Sequence, residues 1–144
     1  MVAQAHHLGL LWVAIEATTL ASAFADAARG ADVPLQVNAF GSLVTPFFTS
    51  SPVRDYDSAL AADTSAYARF FRGMLARGIY PPPSQFEAWF LSAAHTDRQI
   101  GQTILAARAA MREVATRLGD AARMQAWAGQ SAALARAAPA AGRM

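Results

Sequence analysis

Eighteen residues in the first half of this chain, VPLQVNAFGSLVTPFFTS at 33–50, break the helical period that governs the sequence on either side of them. Leu35, Val37 and Ala39 alternate with Gln36 and Asn38, a Gly41-Ser42 break follows, and Val44, Phe47 and Phe48 form a second apolar run. Alternation at period two puts one set of side chains on one face of a strand, so two such runs around a short glycine break predict two adjacent antiparallel strands. Pro46 has no N–H to give to a ladder, which predicts an edge position or a bulge there. Two short strands do not stand alone in water. The remaining chain has to supply a third strand, or helices, to cover them.

Helical spacing appears in three places. Leu20, Phe24 and Ala27 or Ala28 share a face within residues 17–29, and Gly30 is the expected stop. Residues 57–77 set Leu60, Tyr67, Phe70, Phe71, Met74 and Leu75 on one stripe, with Asp57 or Asp63 as N-cap and Gly78 as terminator. Thr96 and Gln99 have the capping-box spacing, and Ile100, Ile104, Ala107, Met111, Val114 and Leu118 recur behind them up to Gly119. Between the last two helices, FEAWFLS at 86–92 reads as a third strand. The order helix, two strands, helix, strand, helix predicts an α+β domain, a small three-stranded antiparallel sheet with helices gathered on one face. Its open face or edge invites a partner.

Composition narrows the function classes. The chain has 144 residues, the size of one domain, and 54% of them are hydrophobic, although alanine supplies much of that fraction and little buried volume. All basic side chains are arginine, scattered among acids at a net charge of +2, which is not the clustered basic face that nucleic acid requires. No cysteine is present, so disulfides and thiolate metal sites are excluded. The apolar run LGLLWVAI at 8–15 is far shorter than a membrane span and lacks the flanks of a signal peptide. A cytoplasmic protein without nucleic-acid or membrane partners is the expectation. His6, His7 and His95 lack the acidic or thiolate company of a metal site, and no metal is expected.

The segment YPPPSQFEAWFLSAAHTD at 80–97 holds the residues with chemical potential. Glu87, set among Phe86, Ala88, Trp89 and Phe90, either decorates an exposed strand edge or faces a group that needs negative charge. Ser84 after a proline is a turn residue or a donor to a ligand. His95 is a proton carrier near neutrality or a hydrogen-bonded residue at the strand-to-helix junction.

Residues 36–108 resemble, densely and in order, the C-terminal small domain of the glutamate-1-semialdehyde 2,1-aminomutases, pyridoxal-phosphate enzymes of the class-III aminotransferase group. The resemblance is carried by Val37-Asn38, Gly41-Ser42, Phe47-Phe48-Thr49, Ala62-Asp63-Thr64, Phe70-Phe71, Gly78 with Tyr80, Pro83-Ser84, Phe86-Glu87-Ala88, Phe90, Ser92 and Ala94-His95-Thr96-Asp97. Pro46, Pro82 and Trp89 depart from the family pattern. The resemblance leaves 1–16 unmatched and assigns 17–118 to an aminotransferase-like small domain; the unmatched alanine- and arginine-rich tail at 119–144 reads from its composition as a weak, fraying helix.

It also implies a reaction, the conversion of glutamate-1-semialdehyde to 5-aminolevulinate for tetrapyrrole synthesis, with pyridoxal 5'-phosphate as cofactor of the complete enzyme, a homodimer. The large domain that carries the Schiff-base lysine is not in this chain, which contains no lysine at all. The missing large domain is then the expected partner, and the chain alone is expected to bind no cofactor and to be inactive. In the complete enzyme the resemblance points to Glu87 as the carboxylate that balances the positive charge of a diamine intermediate; residue chemistry alone offers Ser84 as a donor to cofactor or substrate and His95 as an acid or base. Two other readings stay open: a non-catalytic, stand-alone interaction module, and a fragment of another class-III aminotransferase.

Overall fold

Residues 2–137 are described by a computed structural model. Val13, Ala17, Leu20, Phe24 and Ala28, at steps of four and three, are all buried along helix α1 (Val2–Gly30). That stripe continues upstream of the expected start at residue 17, so the apolar run at 8–15 is part of the same helix and no break separates 16 from 17. Within α1, Leu11–Gly30 is long and apolar enough to cross a membrane, with a mean hydropathy of 1.2. Its stripe nevertheless packs into the protein core beside the sheet and the last helix, as a core helix does. The helix ends beyond Gly30: Asp32, at φ 55°, takes the left-handed conformation, and the Val33 amide donates back to the Ala28 carbonyl at 2.9 Å.

The expected hairpin is present as β1 (Gln36–Phe40) and β2 (Leu43–Phe47), antiparallel, with Phe40 opposite Leu43 and Gln36 opposite Phe47. Strand β3 (Trp89–Phe90) adds to β2, giving the order β1-β2-β3. It is much shorter than the run 86–92 because a turn at Ser84–Glu87 occupies its first residues. Pro46 lies in β2, the central strand, and pairs with Val37. Strand β3 reaches only Leu43 and Val44 on the other side of β2, so Pro46 lies beyond the two-residue edge strand.

The helix expected over 57–77 is two helices, α2 (Tyr56–Leu60) and α3 (Thr64–Leu75). Asp55 caps the first, accepting from the Ser58 amide at 2.8 Å, and Asp63 caps the second, accepting from the Ala66 amide at 2.9 Å. The break is tertiary in origin, for the Asp63 amide donates to the Phe48 carbonyl at the end of the hairpin, at 2.9 Å. Leu60 and Leu75 consequently fall outside the buried stripe. Gly78, at φ 76°, ends the α3 segment, and the Ile79 amide closes back on the Met74 carbonyl at 3.1 Å.

Helix α4 (Asp97–Ala137) opens on the expected capping box, with the Thr96 amide donating to Gln99 Oε1 at 2.9 Å. It does not stop at Gly119. That glycine lacks the positive φ of a C-cap and is followed by strong helix formers, so the backbone runs on. Ile100, Ala107, Met111 and Val114 are buried against α1 and α3. Where α3 crosses α4, Gly73 brings the two backbones together: a Cβ there would stand 2.8 Å from Ala110 Cβ.

The main core lies on the inner face of the sheet. Phe24, Phe48, Tyr67, Phe70 and Trp89 form one aromatic cluster there, with Phe24 5.2 Å from Trp89 and Phe70 stacked on Trp89 at 6.2 Å. Each fully buried ring of this kind contributes about 1.5–3 kcal/mol. A second, smaller core of Phe47, Val53, Ala59 and Ala62 covers one end of the outer face. There residues 50–62 fold back as a strap, held by Asn38 Nδ2 donating to the Val53 carbonyl at 2.9 Å. The three long elements of helix thus sit on one face, as expected, and only the short α2 joins the other.

Candidate functional site

The prolines at 81–83 carry the chain from α3 across the end of the core, and the turn behind them sets the candidate residues. Ser84 makes that turn: its hydroxyl accepts from the Phe86 amide at 3.2 Å and its carbonyl from the Glu87 amide at 3.2 Å. Gln85 points inward, 2% exposed, with its Nε2 donating to the Ala59 carbonyl at 3.1 Å. Two neighbours therefore point in opposite senses, Gln85 anchored under the strap and Glu87 left exposed.

Glu87 lies on the wall of a cleft of about 480 Å³ between this loop, α1 and the start of α4. Leu20, Pro82, Trp89, Ile100 and His95 contribute to the same wall. The structure therefore brings Glu87 and His95 to one cavity, while Ser84 lies behind the turn. Among the described residues Glu87 has no ion-pair partner. A carboxylate on a largely apolar wall attracts a cation more strongly than one in open water, because the low-dielectric wall screens it less.

His95 is held at the junction ahead of α4. Its Nδ1 accepts from the Ser92 amide at 3.0 Å and its own amide donates to the Ser92 carbonyl at 3.0 Å. Nδ1 also lies 3.2 Å from the Ser92 carbonyl and 3.3 Å from the Ser92 hydroxyl, so its donor or acceptor role follows the ring's tautomer.

One residue of the site escaped the sequence reading, which placed Tyr67 only on an apolar stripe. Its hydroxyl donates to the Pro82 carbonyl at 2.7 Å and accepts from Trp89 Nε1 at 3.3 Å. The phenol thus ties both ends of the loop that bears Glu87 to α3. Burial pushes its pKa up to about 12; the Trp89 hydrogen bond opposes the rise and the Glu87 charge adds to it. Tyr67 therefore stays a neutral hydrogen-bonding group throughout the working range of an enzyme. The available signal was chemical: a tyrosine on a buried stripe must find a partner for its hydroxyl.

The described residues contain no group of three His, Cys, Asp or Glu side chains able to hold a metal ion. His6 and His7 lie outside the side chains described. Arg69 and Arg72 line a separate groove between α3 and α4, beside Arg77 and Arg117, and Arg77 is paired with Glu113 at 2.6 Å.

Comparison with known proteins gives one consistent neighbourhood. No family model matches the chain. A glutamate-1-semialdehyde 2,1-aminomutase of Anaeromyxobacter dehalogenans is 50% identical over 101 residues, 67% of this chain and 24% of that protein. The like-named protein of Roseiflexus castenholzii is 50% identical over 98 residues, 68% of this chain and 23% of its own length. That of Acidobacterium capsulatum is 51% identical over 89 residues, 62% of this chain and 21% of its own. The chain therefore spans about a quarter of the length of the curated relatives it matches. Among solved structures, an omega-transaminase from Sphaerobacter thermophilus superposes with a TM-score of 0.58 at 21% identity, covering 71% of this chain and 23% of that one. A transaminase with PLP bound gives 0.58 at 22% identity, over 73% of this chain and 23% of its own. At that identity the likeness is one of fold: this is a small α+β domain of the kind transaminases contain.

Proposed function

From the premise that this chain carries a segment of the glutamate-1-semialdehyde 2,1-aminomutase family, we propose that it is the C-terminal part of an aminomutase converting glutamate-1-semialdehyde to 5-aminolevulinate. The observation that carries the reading is identity of about 50% over 101 residues to a protein of that name. The α+β fold and the cleft around Glu87 agree with it.

Pyridoxal phosphate, present in one of the structural neighbours, supplies the electron sink for amino-group chemistry when bound. The chain has no lysine to hold it covalently, so its attachment is assigned to the larger part of the enzyme and no step through it is assigned to these residues. What this chain contributes is a wall of the site. The proline run and Trp89 exclude water from one side of the cleft, and the Tyr67 hydrogen bonds hold the loop at fixed height. Glu87 offers one unpaired negative charge to balance the protonated amines of the diamine intermediate. His95, on the same wall, offers its ring for proton exchange with those amines. Ser84 is left with a turn role, its hydroxyl occupied by the Phe86 amide.

The test is a chimera. Residues 11–118 replace the matching segment of the Anaeromyxobacter dehalogenans protein, and 5-aminolevulinate formation is measured alongside cofactor absorbance. Turnover within about tenfold of the parent supports the proposal. A chimera that binds cofactor with unaltered absorbance and forms no product refutes it.

A further inference from the structure

Arg69 and Arg72 lie one turn apart on α3, with Arg77 just beyond its end, and Glu113 and Arg117 lie one turn apart on α4. The crossing at Gly73, where no side chain separates the two helices, gathers these charges around one groove of about 750 Å³. Four guanidinium groups against one carboxylate leave the groove with a net charge of +3, above the +2 of the whole chain. Arginines that are scattered in sequence are thus concentrated by the fold.

Their charges are only partly balanced. Arg77 is fully engaged as a brace between the helices, its Nη2 on Glu113 Oε1 at 2.6 Å and its Nη1 on the Gly73 carbonyl at 2.7 Å. Arg72 and Arg117 form no ion pair among the described residues. Arg69 reaches Asp63 only at 3.8 Å, and its Nε is shut off from water with no hydrogen-bond acceptor. A buried donor left unmade destabilises the conformation that holds it, so a turn of the guanidinium that gives Nε an oxygen is favoured. Like charges converging on a concave wall also repel one another and raise the local potential, and an anion seated among them removes both effects.

We propose that the groove between α3 and α4 is a binding site for the phosphate group of a small molecule, held by Arg69, Arg72 and Arg117 against the fixed Arg77–Glu113 pair. Planar guanidinium forks match the paired oxygens of a phosphate, which a single carboxylate satisfies less completely. The volume is that of a small-ligand site, and Glu113 repels the continuation of a long polyanion such as a nucleic acid. No residue lining this groove also lines the Glu87 cleft. The site is built from this chain's two helices alone and does not depend on the aminomutase reading.

The test titrates inorganic phosphate and glycerol phosphate into the isotope-labelled 144-residue chain, read by calorimetry and by the arginine Nε–Hε resonances. Binding should saturate at one site with a dissociation constant below about 1 mM in about 0.1 M chloride, where distant charges are screened. The Arg69 resonance should move furthest. An Arg72→Gln, Arg117→Gln double variant, checked by its helical circular dichroism, should bind about tenfold or more weakly. The control, Arg108→Gln with Arg112→Gln, removes the same charge from the part of α4 beside Asp26 and should change affinity little. Equal weakening by the two pairs overturns the proposal, because the attraction is then diffuse. Absence of saturation overturns it as well. Binding of free phosphate but not of its ester overturns the small-molecule assignment, and tighter binding of citrate or of a short oligonucleotide at the same residues overturns the phosphate assignment.

Discussion

The Tyr67 hydroxyl donates to the Pro82 carbonyl across 2.7 Å, so a side chain of α3 holds the proline run from behind while Glu87 faces the cleft in front. The same oxygen accepts from Trp89 at 3.3 Å. One phenol therefore governs the position of the whole loop between residues 82 and 89, and its removal is the sharpest probe of the site.

Tyr67→Phe keeps the ring in the aromatic cluster and deletes both hydrogen bonds, leaving the Trp89 N–H without its partner. The expected cost is about 1–3 kcal/mol in urea unfolding. In the chimera the loss of loop position should lower kcat about tenfold or more with little effect on cofactor absorbance. Unchanged stability and unchanged kcat would show that the loop is held by other contacts.

The same substitution has an alkaline signature. With the Tyr67 pKa raised from the ordinary 10.0 to about 12, the folded state keeps its phenolic proton where the unfolded state has lost it. The stability this gives is fully present below pH 10.0 and is lost as pH rises towards about 12. The chain has neither lysine nor cysteine, so no side-chain amine or thiol titration overlaps that window. Ultraviolet titration of the folded chain should show one phenol ionising near 12, absent in Tyr67→Phe. If the two titrations coincide, the hydroxyl is not buried as described.

Glu87→Gln in the chimera preserves shape and hydrogen-bonding reach while removing the charge. Cofactor absorbance should persist and turnover should fall by ~10- to 1000-fold, the ~1.4–4 kcal/mol range for one electrostatic contact in a site. An unaltered turnover number at saturating substrate would return Glu87 to an exposed rim residue, for which surface substitutions usually cost within about 0.5 kcal/mol.

The lysine-free chain should form no side-chain adduct with pyridoxal phosphate. Borohydride reduction followed by mass spectrometry of peptides should find pyridoxyl label at the N-terminal amine alone. A stoichiometric internal adduct would contradict the assignment of cofactor attachment to the rest of the enzyme.

Gly73→Ala would put a methyl group 2.8 Å from Ala110 Cβ and 3.0 Å from Glu113 Oε2. Overpacking at such a helix crossing costs about 1–3 kcal/mol. Because Ala110 is itself fully buried, the double variant Gly73→Ala, Ala110→Gly should be more stable than the sum of the two single effects. Strict additivity in a double-mutant cycle would mean that the helices separate instead.

What the sequence made legible was local. The hairpin, the Thr96–Gln99 capping box and the Gly78 stop each depend on residues within a few positions of one another, and each is present. Features set by distant contacts were not legible. Tyr67 meets Pro82 and Trp89 across 15 and 22 residues, which no periodicity encodes. The break between α2 and α3 falls in an alanine-rich stretch that favours helix; Asp63 was already a cap candidate in the sequence, but its tie to the Phe48 carbonyl was not legible there. Gly119 failed as a stop because a glycine ends a helix only where the chain beyond it turns away. Glu87 and His95 were singled out from one segment and do share one cleft, while Ser84, from the same segment, is the turn that aims them.

The strap over the outer face has a consequence for the order in which the domain comes together. Its latches, Gln36 to Ser50 and Asn38 to Val53, span only 14 and 15 residues, and the Phe48–Asp63 link adds α3 to the same short loop of chain. Residues 36–63 are thereby closed by bonds within that stretch, without β3 or α1. Short closures cost little entropy and form early. This stretch is expected to form early, and its amide hydrogens should exchange with solvent as one cooperative group rather than strand by strand.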